Sequence, residues 1–218
     1  MFLPEAILIN PNTNPSMTAR MLAIARGAAQ GRIILEGVTA KLGAPLITNE
    51  ADLTRAAEAV LLLASELPHG SSGIIVSAFG DPGVARLRAL TEVPVVGIGE
   101  AGIREAAVGG RRFCVATTTP GLVTAINARV EALGLSANYA GVVLTQGGVV
   151  EVTNDPSRLE AELTKAIERA VDKLRVEAVV IGGGPLSEAA SHLAEACAVE
   201  IVQPIPAAVR QLLGAINI

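Results

Sequence analysis

Hydroxyl and amide side chains follow three predicted strands of this sequence, at the points where the strands give way to loops. Because the carboxyl ends of parallel strands meet at one edge of a sheet, we expect these groups to form a common rim. Neutral donors and acceptors of this kind suit a small ligand that carries amide or carboxylate oxygens. Any one of them is explained equally well as the cap of a following helix, but the set favours a small-molecule site. Its members are Asn10, Asn12, Thr13, Ser77, Thr117, Thr118 and Thr119.

Two glycine turns add backbone donors to this rim. The apolar stretch 74–76 runs into the turn 77–83 (SAFGDPG), and the apolar stretch 179–181 runs into the turn 182–185 (GGGP). Glycine permits tight backbone conformations, and the free N–H groups of such turns bind oxygen atoms of ligands. The second turn lacks the Lys-Ser/Thr pair of a phosphate-binding loop, so we do not predict a nucleotide phosphate there.

Three ionisable side chains near the predicted strand ends are candidates for acid–base catalysis. Asp81, in the turn after the central strand, is as typical of a helix N-cap as of a catalytic group. Glu188 falls in the first turn of the helix after the triple glycine, where it either reaches the cleft or favours the helix dipole. His192 is predicted within the same helix and partly buried. Cys114, in a strand, and Cys197, late in a helix, lack metal or redox spacing, and we predict neither as a nucleophile.

Strands and helices alternate along the whole sequence, which predicts an α/β fold with mainly parallel sheets. Strands are expected at 6–9, 32–39, 74–76, 93–97, 112–116, 139–145, 179–181 and 200–202. Helices are expected at 17–29 (with Ser16 as its cap), 50–67, 84–90, 121–133, 156–175, 187–198 and from 206 onward, and a short helix before residue 112.

Two equal offsets indicate an internal duplication. Ala78 and Gly183 occupy matching strand ends 105 positions apart, and Pro15 and Pro120 occupy matching loops with the same separation. Such self-similarity predicts two related halves that face one cleft. We place the first lobe at residues 1–98 together with 203–218, and the second lobe at 99–202.

The glycines Gly97, Gly99 and Gly102 match the G-x-G-x-x-G pattern of dinucleotide sites. Such a site would also have a full helix and then an acidic residue about 20 positions later. Here only a short helix intervenes, and the next strand ends in threonines. We therefore interpret these glycines as helix-to-sheet packing.

Composition narrows the class of protein. The chain of 218 residues carries a net charge of −4 and only 2% aromatic residues, which argues against a nucleic-acid-binding protein. No apolar run reaches the roughly 18 residues of a membrane span, and the first residues lack the basic region of a signal peptide. We expect a soluble, cytoplasmic protein without a membrane or nucleic-acid partner.

Four motifs together resemble the Asp/Glu/hydantoin racemase superfamily, and in particular its hydantoin and allantoin racemases. They are residues 9–13 (INPNT), 77–83 (SAFGDPG), 95–98 (VVGI) and 115–118 (VATT), and the similarity covers nearly the whole chain. The resemblance implies two pseudo-symmetric α/β lobes with the site between them, a homo-oligomer, and catalysis without a metal or an organic cofactor.

The family uses two cysteines that face each other across the substrate carbon, one removing a proton and the other returning it on the opposite face. A thiolate suits this task because neighbouring donors lower the pKa of a cysteine. The positions that match these cysteines hold Ala78 and Gly183. Both cysteines that this mechanism requires are therefore absent from the matching positions.

Three interpretations remain. The chain is an enzyme with another acid–base group, for which Ser77, Asp81, Glu188 and His192 are the candidates, and its step is racemisation, decarboxylation or ring opening. Related arylmalonate decarboxylases, which keep one cysteine, show that this cleft accepts new chemistry. Alternatively, the chain binds a small ligand without turnover, or both cysteines were removed by engineering. The several differences around Gly183 favour a natural branch over two point changes.

We expect a cofactor-independent enzyme of racemase or isomerase type that acts on a small cyclic amide or a small carboxylate. Backbone N–H groups of Phe79, Gly80 and Gly184 would stabilise a developing enolate. The predicted substrate-binding residues are Asn10, Asn12, Ala78, Phe79, Gly80, Thr117, Thr118, Gly183, Gly184 and Pro185.

Overall fold

The computed structural model describes residues 3–66 and 70–217. The first half of the chain consists of β1 (Glu5–Asn10), α1 (Pro15–Ala29), β2 (Ile34–Thr39), α2 (Glu50–Glu66), β3 (Gly73–Val76), α3 (Val84–Arg88) and β4 (Val95–Gly97). The helix α4 (Ile98–Ala106) leads into the second half. That half contains β5 (Phe113–Thr117), α5 (Val123–Ala132), β6 (Tyr139–Leu144), α6 (Val149–Thr153), α7 (Pro156–Arg169), β7 (Ala178–Ile181), α8 (Ser187–Ala196), β8 (Glu200–Val202) and α9 (Pro204–Ala215).

Each half forms a parallel four-stranded sheet, and the two sheets have the same strand order. The orders are β2-β1-β3-β4 and β6-β5-β7-β8. The last residues of the two matching central strands, Val76 and Ile181, are 105 positions apart. Both the α/β fold and the two-lobed arrangement are thereby confirmed. The central strands are buried along their whole length, which explains their unbroken apolar sequences.

Helices cover both faces of each sheet. In the first lobe, α1 and α9 enclose Leu8 and Ile75 on one face, and α2 and α3 enclose Ile9 and Val76 on the other. In the second lobe, α7 and α8 pack on one face of the sheet, and α4 and α5 pack on the other. No helix among the described residues is long and apolar enough to cross a membrane.

The helix α4 belongs to the cores of both lobes. Ile98 and Ala101 pack with the first sheet, whereas Ile103 and Ala106 pack with the second. The boundary predicted at residues 98/99 falls at the start of this helix, and the limits of the two lobes stay a prediction. A helix shared in this way fixes the two sheets relative to each other.

Several element limits differ from those predicted. Asn14, not Ser16, caps α1: its side chain accepts a hydrogen bond from the Met17 N–H at 3.2 Å, and Pro15 takes the first helical position. The helix α6 was not predicted, because five residues are too few to show a helical period. The helix expected at 156–175 changes at residue 170 into a π-turn. The last helix begins at Pro204, two residues earlier than expected. The predicted helix end at residue 67 lies outside the described residues.

The turn after β3 is tied to the N-terminus of α4 through one carboxyl group. Asp81 accepts hydrogen bonds from the backbone N–H groups of Gly99 and Glu100, each at 2.7 Å. The guanidinium of Arg129, on α5, lies 3.4 Å from the same carboxyl. The Asp81 side chain is completely buried, and this burial raises its pKa to about 7 although Arg129 and the two N–H groups oppose the shift.

The glycines at the start of α4 make this contact sterically feasible. A Cβ atom on Gly97 would overlap the Asp81 side chain, and one on Gly99 would overlap the Phe79 carbonyl oxygen. A Cβ atom on Gly102 would lie 3.1 Å from Val180 of the second sheet. These contacts confirm that the G-x-G-x-x-G glycines serve packing.

We predict that Gly99→Ala lowers the free energy of unfolding by about 1–3 kcal/mol, because the methyl group meets a backbone carbonyl that cannot rotate away. Gly27→Ala is the matched control. It places the same methyl in helix α1, where nothing lies within 4 Å, and should raise stability by about 0.5–1 kcal/mol. Urea unfolding of both variants checks this; equal effects would contradict the packing role of Gly99.

We also predict that the Asp81 carboxyl makes unfolding depend on pH between about 4 and 7. The folded protein keeps the Asp81 proton up to about pH 7, whereas the unfolded chain loses it near the ordinary value of 3.8. The folded state therefore binds more protons in this interval, and stability falls as pH rises, by up to about 1.4 kcal/mol per pH unit. Urea unfolding of wild type and Asp81→Asn across this range isolates the Asp81 contribution. A constant difference between the two proteins would show that the carboxyl is ionised throughout.

Candidate functional site

A cavity lies between the two sheets at the carboxyl ends of their central strands. It is bordered by the loop after β1, the turns after β3 and β7, the end of β5, and one face of α5. Ten of the fourteen predicted site residues line it: Asn12, Ser77, Ala78, Phe79, Gly80, Thr117, Thr118, Gly183, Gly184 and Pro185. Most of the predicted binding residues therefore line one cavity, as expected because the carboxyl ends of parallel strands meet at one edge of a sheet.

The two glycine turns meet across this cavity. A Cβ atom on Gly184 would lie 3.2 Å from the Ser77 carbonyl oxygen and 2.6 Å from Met21 Sδ, so the glycine lets the two turns approach closely. The Phe79 ring extends from the first lobe into the core of the second and covers Gly182. The base of the cavity is thus built by both halves of the chain.

Hydroxyl groups hold strand ends in both lobes. The Ser77 hydroxyl donates to the Ile9 carbonyl at 2.9 Å, and so links the end of β3 to β1. The Thr117 hydroxyl donates to the Gly182 carbonyl at 2.8 Å, and so links the end of β5 to β7. Each oxygen keeps its lone pairs for a further contact. The two hydroxyls thus join corresponding strand pairs but come from non-equivalent strands, because β3 corresponds to β7 and β5 corresponds to β1.

The loop after β1 is held by its own amides. Asn10 is fully buried and does not line the cavity. Its Nδ2 donates to Asn12 Oδ1 and to Thr18 Oγ1, each at 2.9 Å, and its Oδ1 accepts from the Asn12 N–H. Asn10 therefore positions the loop, and Asn12 is the residue that reaches the cavity.

Ionisable side chains do not line this cavity among the described residues. Its polar side chains are hydroxyls and one amide, from Asn12, Ser77, Thr117, Thr118, Thr119 and Thr153. Asp81 lies behind the turn, because both of its oxygens are engaged by the N-terminus of α4. Of the four candidates for proton transfer, only Ser77 borders the cavity.

Glu188 and His192 point away from the cavity. They lie one helical turn apart on the outer face of α8, since Ala189, Ala190 and Leu193 form its buried face. Their side chains are 57% and 69% exposed, Glu188 at 3.7 Å from Arg20 and His192 at 3.1 Å from Glu160. Both line a separate groove that borders the cavity.

The two cysteines lie elsewhere. Cys114 is fully buried in β5, as predicted, and burial raises its pKa to about 12. Burial also raises the pKa of Cys197, which follows α8 outside the cavity. Ala78 and Gly183, at which the sequence resemblance places the family's two cysteines, both border the cavity.

Sequence reasoning missed the apolar wall and one hydroxyl of the site. Leu46 and Ile47 reach the cavity from the connection between β2 and α2, a stretch without a strand or helix pattern, and Leu53 reaches it from the first turn of α2. Thr153 reaches it from the unpredicted helix α6. In the sequence, Thr153 stands out as a site residue only because it is a polar residue at the end of a short, mainly apolar run.

Comparison with known proteins identifies the family of this chain and finds solved structures with the same fold. The model of the Asp/Glu/Hydantoin racemase family matches residues 7–212. A hydantoin racemase from Rhizobium meliloti is 30% identical over 212 residues, which cover 95% of this chain and 88% of the relative.

Two solved structures share nearly the whole architecture. An allantoin racemase from Pseudomonas fluorescens has a TM-score of 0.92 and 25% identity, covering 98% of this chain and 91% of that one. The allantoin racemase from Klebsiella pneumoniae has a TM-score of 0.91 and 27% identity, with coverages of 99% and 89%. With its duplicated parallel sheets and a cavity between them, this chain belongs to the Asp/Glu/hydantoin racemase family.

Proposed function

We propose that this chain binds a small cyclic amide of hydantoin type and moves a proton at the carbon next to a carbonyl, without a thiol, metal or organic cofactor. The observation that carries the proposal is the neutral polar lining of the cavity at the strand ends. The names of the relatives, hydantoin racemase and allantoin racemase, support the same class of ligand.

The lining favours a cyclic amide over an amino-acid carboxylate. A cyclic amide presents uncharged N–H and C=O groups, which hydroxyl and amide side chains satisfy in either direction. A carboxylate is ordinarily held by arginine or lysine. Neither residue type lines the described part of this cavity. An uncharged ring therefore fits the site better than aspartate or glutamate.

Backbone donors would stabilise the charge that forms in the reaction. Removing a proton next to a carbonyl moves negative charge onto the carbonyl oxygen. Phe79, Gly80 and Gly184 border the cavity, and their N–H groups donate no backbone hydrogen bond to another described residue. We propose that these N–H groups donate hydrogen bonds to the enolate oxygen. The turns hold the groups in place, so they need not move when the negative charge develops.

Ser77 is the proposed group for proton transfer, because it borders the cavity next to Ala78. To take a carbon-bound proton, the Ser77 hydroxyl must first lose its own proton to solvent, because the Ile9 carbonyl that accepts its hydrogen bond is not a base. The alkoxide oxygen then takes the proton from carbon, and the negative charge passes to the enolate oxygen. A hydroxyl is a far weaker base than a thiolate at neutral pH, and turnover is expected to be slower than with a pair of cysteines.

Ligand binding without turnover is the second candidate function. The absence of an ionisable side chain from the described lining favours it, because general acid–base catalysis needs a group that titrates near the working pH. Decarboxylation and ring opening are further reactions that the same cavity could host, and each leaves a distinct product.

We predict exchange of the carbon-bound proton when the protein is mixed in D2O with enantiopure 5-substituted hydantoins. Proton NMR should show loss of this signal faster than in a protein-free blank, and no loss with aspartate, glutamate or a malonate. Cys114→Ala/Cys197→Ala should exchange at the same rate, because neither thiol lines the cavity. New product signals would instead indicate decarboxylation or ring opening. Unchanged spectra together with a ligand-dependent melting shift would support binding alone.

We predict that Thr118→Val weakens hydantoin binding about fivefold to tenfold, the worth of one hydrogen bond. Thr118 is 4% exposed, and among the described residues its hydroxyl contacts only the Thr119 hydroxyl, at 3.4 Å, so the change should leave the fold intact. Thr164→Val is the control, since it removes a hydroxyl that binds the Glu160 carbonyl on α7 away from the cavity. Isothermal titration calorimetry measures both. Unchanged affinity in Thr118→Val would remove Thr118 from the binding site.

A further inference from the structure

Two threonine hydroxyls are buried without a hydrogen-bond partner among the described residues. They are Thr145 Oγ1, just after β6, and Thr153 Oγ1, at the end of α6. A buried hydroxyl without a partner destabilises a folded protein, and such groups are rare in native structures. Each of the two therefore calls for an explanation.

Thr153 differs from Thr145 in its position. Thr153 lines the cavity and also lines the groove beside it, whereas Thr145 lines neither. Pro185 is the other residue that borders both spaces. Thr153 and Pro185 thus mark the passage between the neutral cavity and the groove.

The groove beyond this passage is charged. Arg20, Glu160, Glu188 and His192 line it, and their side chains are between 44% and 69% exposed. A ring seated in the neutral cavity would direct its substituent either into the apolar wall or through this passage. Only a substituent that leaves through the passage would pass Thr153, whose hydroxyl lacks a partner among the described residues, and reach solvent.

We propose that Thr153 is a specificity-determining residue whose hydroxyl binds a polar group on the ligand's substituent, where the substituent leaves the cavity toward the groove. The inference rests on the proposed hydantoin-type ligand and adds to it the class of substituent. The protein would select rings that carry a hydrogen-bonding atom close to the ring over rings with a purely alkyl substituent. Because Thr153 Oγ1 is buried in the free protein, rotation of the side chain about χ1 would bring the hydroxyl to the ligand, which would supply the partner that it lacks among the described residues.

A pair of nearly isosteric ligands tests this assignment. 5-(Hydroxymethyl)hydantoin and 5-ethylhydantoin differ in one hydroxyl against one methyl group. Wild-type protein should bind the hydroxymethyl ligand about fivefold to tenfold more tightly, as expected for one hydrogen bond. Thr153→Val, which keeps the shape and removes the hydroxyl, should bind both ligands alike. Thr145→Val, which removes the other unpartnered hydroxyl, should keep the wild-type preference.

Stability and binding together separate the possible results. Without ligand, both variants should melt at or above the wild-type temperature, because each loses an unpartnered hydroxyl. A lower melting temperature for Thr153→Val alone would show a structural role and overturn the inference. An unchanged preference in Thr153→Val would also overturn it, as would equal weakening of both ligands, which indicates contact with the common ring. If neither ligand binds wild-type protein in calorimetry, the proposed hydantoin-type ligand fails, and the inference fails with it.

Discussion

The buried carboxyl of Asp81 is the interaction on which the arrangement of the site depends. It joins the turn after β3 to the first N–H groups of α4, next to the Arg129 guanidinium from α5. Because α4 packs in the cores of both lobes, one contact positions the turn, the shared helix and the second sheet together. The same turn supplies one side of the cavity. Gly97 and Gly99 have no side chains at the points where the turn and the helix would otherwise collide.

The cavity follows from the repetition of one α/β unit. Two parallel sheets of identical strand order present their carboxyl ends to a common space, and each contributes one glycine turn and one strand-linking hydroxyl. Ala78 and Gly183, at which the sequence resemblance places the family's two cysteines, lie in the two glycine turns that border this space. Gly183 has a φ of +156°, and a Cβ atom there would lie 3.2 Å from Leu186. The backbone conformation at this position therefore favours a glycine.

The described lining of the cavity carries neither a thiol nor another ionisable side chain. Hydroxyl, amide and backbone groups remain, all of which bind an uncharged ring and stabilise negative charge on its oxygen. Among the ionisable groups near the cavity, Asp81 is buried behind the turn after β3. Glu188 and His192 are exposed in the neighbouring groove. The neutral cavity and the charged groove thus offer separate environments for the ring of a ligand and for its substituent.

The sequence by itself determined the fold class and the duplication, and it brought most of the predicted site residues to one cavity. Apolar β-branched stretches and glycine turns are local signals, and parallel strands place their carboxyl ends together whatever the details of packing. Tertiary structure decided what each ionisable group does. Asp81 became a helix cap because α4 approaches the turn, and Glu188 became solvent-exposed because the opposite face of α8 is buried. Thr153 reaches the cavity through a five-residue helix that has no sequence period, so only the packing of distant segments reveals it.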